Sequence, residues 1–407
     1  MRDERTLGRR GMRLLLCLGL VGCAAQGDVA PRQRTSDLNV VTMDPDPSAT
    51  GAAGSAPTTP TAADPTAPVD TGMPCAAGDT CTPEQPPDVG MAGAGDLGAA
   101  GSAAQPGDAL DPTQPTCFEF HNHGQPVSGD TSKYAVITGE HYLCNHYTVP
   151  WHEPAELVSW STLYDNKALP HHWLLYSVPG GAVDGAFEPC IGTHLLQDAQ
   201  LVAGWAVGGN DVTLPEDIGL RMPGAERSFL LEWHYYNTTG AVQMDSTGMS
   251  ICVLPAGTRP NTAGMTWLGT ENFNGPAGMP AGQMSNFSGT CVNDSGAPIH
   301  IFRFWPHMHK WGRQMTSVVT RAGSLANEEV FKMPFDFNYQ VSYDAGVELM
   351  PGDSITSTCT FNNMSLSNVA FGPSTDQEMC YQFAFSYPAG ALDNGIPSLV
   401  GATNTCW

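Results

Sequence analysis

Three groups of histidines, far apart along the chain, have the spacing and surroundings of metal ligands. His171 and His172 are adjacent in HHWLLY, His234 lies in LEWHYYN, and His307 and His309 form HMH in FWPHMHKWG. Each segment is short, apolar and aromatic, which is typical of β-strands. Residues i and i+2 of a strand point to the same face, so the HMH pair has the spacing of a chelate.

The adjacent pair His171 and His172 raises a question, because neighbouring side chains of a strand point to opposite faces. A single buried histidine is more often a hydrogen-bonded core residue than a ligand. The joint occurrence of three such groups favours a metal instead. In an exported β protein without free thiolates, histidine-rich sites indicate copper or zinc.

The elements that would position these histidines are β-strands. From Cys117 to Trp407, short runs rich in β-branched and aromatic residues, such as SFLLEWHYYN and CYQFAFSYP, alternate with Gly, Pro, Asn and Asp. Runs of this length bounded by turn formers predict strands, and no long amphipathic helix is evident. The sequence therefore predicts an all-β fold made of antiparallel sandwiches.

Composition excludes one class of partner. The 407 residues include 17 Lys and Arg against 40 Asp and Glu, a formal net charge of −23. A chain so acidic is poorly suited to a phosphate backbone, so we expect no nucleic-acid partner.

The first residues resemble an export signal, with arginines followed by LLLCLGLVG. LVGC resembles the bacterial lipobox, which implies residues 1–23 as signal peptide, lipidation of Cys23 and a chain anchored in the bacterial cell envelope, at the outer membrane or cell surface. Residues 24–115 are rich in Ala, Gly, Pro and Thr, which predicts a disordered tether. Within it, Cys75 and Cys81 are spaced for a local disulfide.

Eight cysteines follow the predicted tether. An even number in an exported protein predicts four disulfides, whose connectivity the spacing alone leaves open. The eight are Cys117, Cys144, Cys190, Cys252, Cys291, Cys359, Cys380 and Cys406.

In this order, HHWLLY, LEWHYYN, HMHKWG and GDSITSTCTFNN…DQEMC resemble the motifs of the copper type II, ascorbate-dependent monooxygenases. The resemblance covers almost all of residues 117–407. It implies two tandem antiparallel β-sandwich (jelly-roll-like) domains, at 116–255 and 256–407, with one copper each. It also implies that the two copper sites face each other across a solvent-filled cleft.

The resemblance implies a role for each group. His171, His172 and His234 would bind the first, electron-transferring copper. His307, His309 and Met379 would bind the second copper, where dioxygen reacts and a substrate C–H bond is hydroxylated, with ascorbate or another one-electron reductant as co-substrate. A thioether favours Cu(I), the state that must meet dioxygen. The resemblance further implies four disulfides, Cys117–Cys252, Cys144–Cys190, Cys291–Cys406 and Cys359–Cys380.

The sequence departs from the peptide-processing branch of the family at its substrate-holding positions. Trp305, Tyr381 and Phe383 replace an arginine, an asparagine and a tyrosine. A glycine-extended peptide is therefore not the expected substrate. The three rings indicate an apolar or aromatic substrate, or they pack the second domain. Arg303, on the same strand face as Trp305, is a candidate for a carboxylate contact.

Two functions remain open on this reading. The first is a copper monooxygenase acting on a small or extracellular substrate; the alternative is a non-catalytic copper-binding surface lipoprotein on the same fold. His121 and His123 in FHNHG also have chelating spacing but match no ligand of the family. They are expected to be surface residues.

Overall fold

This computed structural model describes residues 109–122, 133–181, 183–190, 198–324, 326–399 and 402–407. Within these ranges, the alternation of apolar runs and turn formers produces 21 strands. Cys23, Cys75, Cys81 and His123 lie outside them. The strands are β1 (Thr116–His121), β2 (Tyr134–Val136), β3 (Gly139–Thr148), β4 (Ala155–Leu163), β5 (Pro170–Pro179), β6 (Phe187–Pro189), β7 (Gln200–Ala206), β8 (Val212–Thr213), β9 (Ile218–Met222), β10 (Arg227–Asn237), β11 (Gln243–Asp245), β12 (Gly248–Pro255), β13 (Asn261–Gly269), β14 (Met284–Val292), β15 (Ile299–His307), β16 (Gly312–Thr320), β17 (Asn327–Pro334), β18 (Tyr343–Leu349), β19 (Ser354–Asn362), β20 (Tyr381–Tyr387) and β21 (Thr405–Cys406).

The expected all-β architecture is confirmed; the described helical structure is a 3-10 turn at Gly275–Ala277. The largest sheet has the order β1-β12-β4-β9-β13-β20-β15-β18, with β8 beside β4 and β21 beside β13. A second sheet has the order β6-β3-β10-β5-β7 and a third the order β14-β19-β16-β17. Among the described pairs, β9–β13 and β13–β21 are parallel and the others antiparallel.

The first half of the fold packs the β6-β3-β10-β5-β7 sheet on β1, β12 and β4. Trp173 of β5 donates its indole N–H to Thr162 Oγ1 of β4 at 2.9 Å, and the Phe120 and Phe229 rings meet edge to face at 5.9 Å. Trp173 and Trp233 are fully buried. These side chains bury the apolar face of each sheet, which is the main source of stability in a sandwich.

The second half packs the β14-β19-β16-β17 sheet on β13, β20 and β15. Phe304 of β15 meets Phe331 of β17 at 5.3 Å. The predicted domain limit at residue 255 falls between β12 and β13, yet the largest sheet continues across it through the β9–β13 pair. All described residues belong to one compact unit.

The two halves also meet face to face. Trp160 of β4 stacks on Phe385 of β20 at 6.1 Å, and the Gln340 N–H donates to Val207 O at 2.7 Å. The Trp305 ring lies over Gly204 of β7, where a Cβ atom would come within 2.7 Å of two ring carbons. Gly204 is therefore required by the close approach of the two halves.

Four disulfides tie the strands, in the pairing implied by the family resemblance. They join Cys117 to Cys252, Cys144 to Cys190, Cys291 to Cys406 and Cys359 to Cys380. Disulfides of this number are typical of proteins that fold in an oxidising compartment, so the chain is exported.

Candidate copper centres

A β-bulge brings the adjacent histidines to one side of β5. His172 pairs with His234 of β10, but the next residue of β10, Tyr235, pairs with Pro170. His171 is therefore an extra residue between two ladder pairs. Such a bulge breaks the strict alternation of side chains, which explains how both neighbours reach the same place.

The result is a compact cluster of three imidazoles. One ring nitrogen from each of His171, His172 and His234 lies within 4.8 Å of the others. The ring centroids of His172 and His171 are 4.7 and 5.1 Å from that of His234. All three residues are buried. This is the arrangement that three ligands of one metal require.

The hydrogen bonds around this cluster indicate which nitrogens are available. His171 Nε2 lies 3.0 Å from Phe337 O, and His234 Nε2 lies 3.0 Å from Glu140 Oε1. The carbonyl of Phe337 requires a proton on Nε2 of His171. The Glu140 carboxylate favours a proton on Nε2 of His234 through its charge, although this contact lacks hydrogen-bond geometry. Nδ1 of all three histidines is buried without a hydrogen-bond partner. Buried nitrogens are normally paired, and three unpaired lone pairs in one cluster fit a metal ion.

The second histidine pair lies at the end of β15. His307 Nδ1 is 3.1 Å from Gln340 Oε1, whose own amide N–H₂ donates to Phe337 O, and His309 Nδ1 is 3.0 Å from Gln377 O. Both acceptors require a proton on Nδ1, which leaves Nε2 as the lone-pair nitrogen. The ring centroids are 5.3 Å apart.

Met379 lies two residues before β20, whose first residue, Tyr381, pairs with His307. If the antiparallel register continued for two residues beyond this pair, Met379 would lie opposite His309. Met379 is 8% exposed. The next residue, Cys380, is held to Cys359 of β19 by a disulfide.

A buried carboxylate holds the methionine segment against the histidine turn. Glu378 Oε2 accepts the N–H of His309 at 2.7 Å, and Oε1 accepts the N–H of Trp311 at 2.6 Å. Burial raises the pKa of Glu378 to about 8, against the opposite effect of these backbone donors. Glu378 is not among the residues predicted from the sequence, although its position beside the predicted ligand Met379 in EMC could have indicated a role at this site.

Burial keeps the histidines neutral. It lowers the pKa of His171 to about 3 and that of His309 to about 4, and it holds the pKa values of His172 and His307 well below the ordinary range. Burial also lowers the pKa of His234, which Glu140 opposes. A metal binds the neutral imidazole, so the donor sets fit copper without prior loss of a proton.

The two clusters are adjacent in this structure. The rings of His172 and His307 are 5.7 Å apart at their centroids, and both residues are buried. The expectation of a solvent-filled cleft between the sites is therefore wrong for this arrangement. The halves are closed on each other here because the Trp305 and Phe337 side chains of the second half pack against the first.

The three aromatic residues at the substrate-holding positions are part of this packing. Trp305, Tyr381 and Phe383 are at most 4% exposed. Trp305 donates its indole N–H to Gln340 O at 3.2 Å, and the Tyr381 hydroxyl donates to Glu271 at 2.5 Å. In this closed arrangement the rings fill the space between the halves.

Two further candidates contact residues outside the histidine clusters. The Arg303 guanidinium donates to Asp344 Oδ1 at 2.8 Å. His121 is half-exposed, with Nδ1 near Ser246 O and Nε2 near Glu119. Neither is drawn into the two clusters.

Comparison with known families matches both halves of the fold. The family model described as the copper type II ascorbate-dependent monooxygenase N-terminal domain matches residues 132–242, and the corresponding C-terminal model matches residues 261–397. Together they cover more than half of the chain. The chain belongs to the copper type II, ascorbate-dependent monooxygenase family. Its two histidine clusters lie one in each matched region.

Individual relatives of this chain are distant. A human protein named putative DBH-like monooxygenase protein 2 is 28% identical over 264 residues, and the match covers 58% of this chain and 51% of the human protein. Bovine dopamine beta-hydroxylase is 28% identical over 253 residues, and the match covers 56% of this chain and 40% of the bovine protein. Xenopus laevis peptidyl-glycine alpha-amidating monooxygenase A is 27% identical over 255 residues, and the match covers 60% of this chain and 26% of the Xenopus protein. The chain thus spans about half or less of the relatives that it matches.

The family is copper- and ascorbate-dependent, which fits the donor types of the two clusters. Within the described ranges, no helix is both long and apolar enough to cross a membrane.

Proposed function

We propose that this chain is a two-copper monooxygenase that hydroxylates a C–H bond of a small or extracellular substrate, with dioxygen and ascorbate or another one-electron reductant. The observation that carries the proposal is the set of buried, unpaired Nδ1 atoms of His171, His172 and His234. A solely structural cluster would leave three buried nitrogens without partners, which native proteins avoid.

The donor sets of the two centres support different roles. His171, His172 and His234 would hold the first copper with three imidazoles, and His307, His309 and Met379 would hold the second with a softer set. When bound, copper supplies one-electron transfer and dioxygen activation. In the overall reaction one oxygen atom enters the C–H bond and the other leaves as water, with two electrons and two protons from the reductant and solvent.

The protein's own contribution is to position these ligands and exclude water. The β5 bulge gathers the first three rings, while the Gln340 and Gln377 oxygens orient the second pair. Because His307 and His309 are only 7% and 3% exposed, a substrate gains access to them when the two halves separate. Trp305 and Phe383 would then present an apolar surface, which supports an apolar or aromatic substrate.

The proposed location is the bacterial cell envelope, through lipidation of Cys23 in the LVGC motif. The four disulfides support export, and the Ala/Gly/Pro/Thr-rich composition of residues 24–115 supports a tether. No nucleic acid is proposed as a partner, given the net charge of −23.

The first test is copper per chain by elemental analysis, after loading with Cu(II) and desalting, for the parent and for His172→Ala and Met379→Ala. We expect two coppers in the parent and one weakened site in each variant. Copper at no site, or a copper content indifferent to both changes, would refute the two-centre proposal.

The second test is oxygen consumption driven by ascorbate and coupled to a hydroxylated product, with a panel of small apolar and aromatic compounds. A loaded chain that binds two coppers but consumes no oxygen with any reductant or compound would instead support the non-catalytic copper-binding function.

A further inference from the structure

Glu140 of β3 is the carboxylate nearest to the first cluster. Its Oε1 lies 3.0 Å from His234 Nε2, and the neighbouring Tyr142 ring stacks on the His234 ring at 4.3 Å. A carboxylate at this distance keeps the proton on Nε2 and leaves Nδ1 as the lone-pair nitrogen. Glu140 is outside the set of ligand atoms that lie within 4.8 Å of one another, so it orients His234 without belonging to the cluster.

The same carboxylate binds a loop of the other half of the fold. Glu140 Oε1 accepts the backbone N–H of Thr375 at 2.9 Å and the Thr375 hydroxyl, and its Oε2 accepts the Ser374 hydroxyl at 3.4 Å. The Tyr142 hydroxyl adds a bond to Pro373 O at 2.9 Å. Residues 373–375 are therefore fastened to β3 by four hydrogen bonds.

This loop leads directly into the second cluster. Two residues beyond Thr375, the carbonyl of Gln377 accepts from His309 Nδ1, and Glu378 then fixes the His309 turn. A short series of contacts thus joins the two centres: from His234 to Glu140, from Glu140 to Thr375, and along the chain to Gln377 and His309.

We propose that Glu140 is a positioning residue that couples the two copper centres, by orienting His234 and by holding the 373–375 loop that precedes the ligands of the second centre. The inference rests on the proposed function. Coupling between sites is reciprocal in binding free energy. A change in the 373–375 loop therefore alters copper binding at the first cluster, which lies in the other half.

The test is a double-mutant cycle on the full chain in a His307→Ala background, which removes one ligand of the second centre. Cu(I) affinity of the first cluster is measured by competition with a chromophoric chelator. Glu140→Ala is expected to weaken it by roughly 10- to 100-fold, as for other residues that orient a ligand. Thr375→Val, which removes only the hydroxyl, is expected to weaken it by about three- to tenfold.

The cycle separates coupling from general damage. If Thr375 acts through Glu140, Thr375→Val has no further effect once Glu140→Ala is present. The matched control is Thr320→Val, which removes a side-chain hydrogen bond to Asn327 in an exposed hairpin of the second half and should leave the affinity unchanged.

The outcomes are distinguishable from those of the proposed function. If the parent binds copper at the first cluster and Thr375→Val stays within twofold of it, the coupling inference is overturned and the proposed function stands. Additive effects of the two substitutions would also overturn it. Absence of copper at the first cluster of the parent would overturn the proposed function itself.

Discussion

Glu378 offers a sharp test of how the second centre is held. Replacement by alanine removes the acceptor of two buried backbone N–H groups, those of His309 and Trp311, at 2.7 and 2.6 Å. An unpaired buried donor costs about 1–3 kcal/mol, so the two together would cost about 2–6 kcal/mol. Removal of a carboxyl whose pKa burial raises to about 8 offsets part of this loss.

We therefore expect Glu378→Ala to lower the free energy of unfolding of the copper-free chain by about 2–3 kcal/mol, at the low end of that range. Urea denaturation followed by tryptophan fluorescence measures this change. Copper affinity should fall at the second centre by about 10- to 100-fold, because the turn that carries His309 loses its support. The loss of affinity at the first centre should be smaller, because Glu378 bonds directly to the His309 turn of the second.

The control is Glu329→Ala, which removes an exposed ion pair with Lys332 at 3.2 Å. Such surface pairs contribute about 0–1 kcal/mol. The supporting role of Glu378 would be refuted by a variant with two properties. Its free energy of unfolding would lie within about 0.5 kcal/mol of the parent value, less than one unpaired donor should cost, and it would keep both copper affinities.

Two further predictions concern closure and pH. In Gly204→Ala the new Cβ would lie 2.7 Å from the Trp305 ring. We therefore expect the free energy of unfolding to fall by about 1–3 kcal/mol. Hydrogen exchange should also become faster at the backbone amide of Gln340, which bridges the two halves. Gly346→Ala, with no atom within 4 Å of its new Cβ, is the control, and equal exchange in both variants would contradict the steric argument. The second prediction is that the copper-free chain loses stability as pH falls from 6.5 toward 4. Burial lowers the pKa of His309 to about 4 in the folded chain, against an ordinary histidine value of 6.5. The unfolded chain therefore takes up protons that the folded chain excludes. Urea denaturation from pH 6.5 to 4 should show that the free energy of unfolding falls less steeply with pH in His309→Asn than in the parent. Identical slopes in the two chains would contradict this prediction.

The fold class was predictable from local patterns, and the same patterns singled out the histidine groups. Short apolar and aromatic runs separated by turn formers indicate strands whatever their partners are, because the period of two is a property of each strand. The spacing of His307 and His309 shows in the same way that both rings share one face. The adjacent pair His171 and His172 was the exception, since alternation alone would separate the two rings.

The disulfides were predictable only in part from local patterns. Eight cysteines in an exported chain predict four bonds, but their pairing came from the family resemblance. The strand register accounts for one of these pairings, because Cys117 and Cys252 are partners in the β1–β12 pair. Cys359 of β19 and Cys380, just before β20, belong to strands of different sheets. Register between distant strands depends on packing, which a local pattern does not contain.

The strands, the histidine groups and the acidic charge, from which no nucleic-acid partner is expected, are readable in the sequence, and the family resemblance adds the six donor side chains proposed for copper. How these donors are used depends on the tertiary structure. The β5 bulge turns His171 toward His172, and the contacts of Glu140, Phe337, Gln340 and Gln377 select one nitrogen on each of four rings. It also decided that the centres are adjacent, with His172 and His307 5.7 Å apart. Side-chain type and strand period are local properties. Tautomer, burial and the contact between the halves instead depend on groups that are distant in the chain, from 33 residues for His307 and Gln340 to 166 residues for His171 and Phe337.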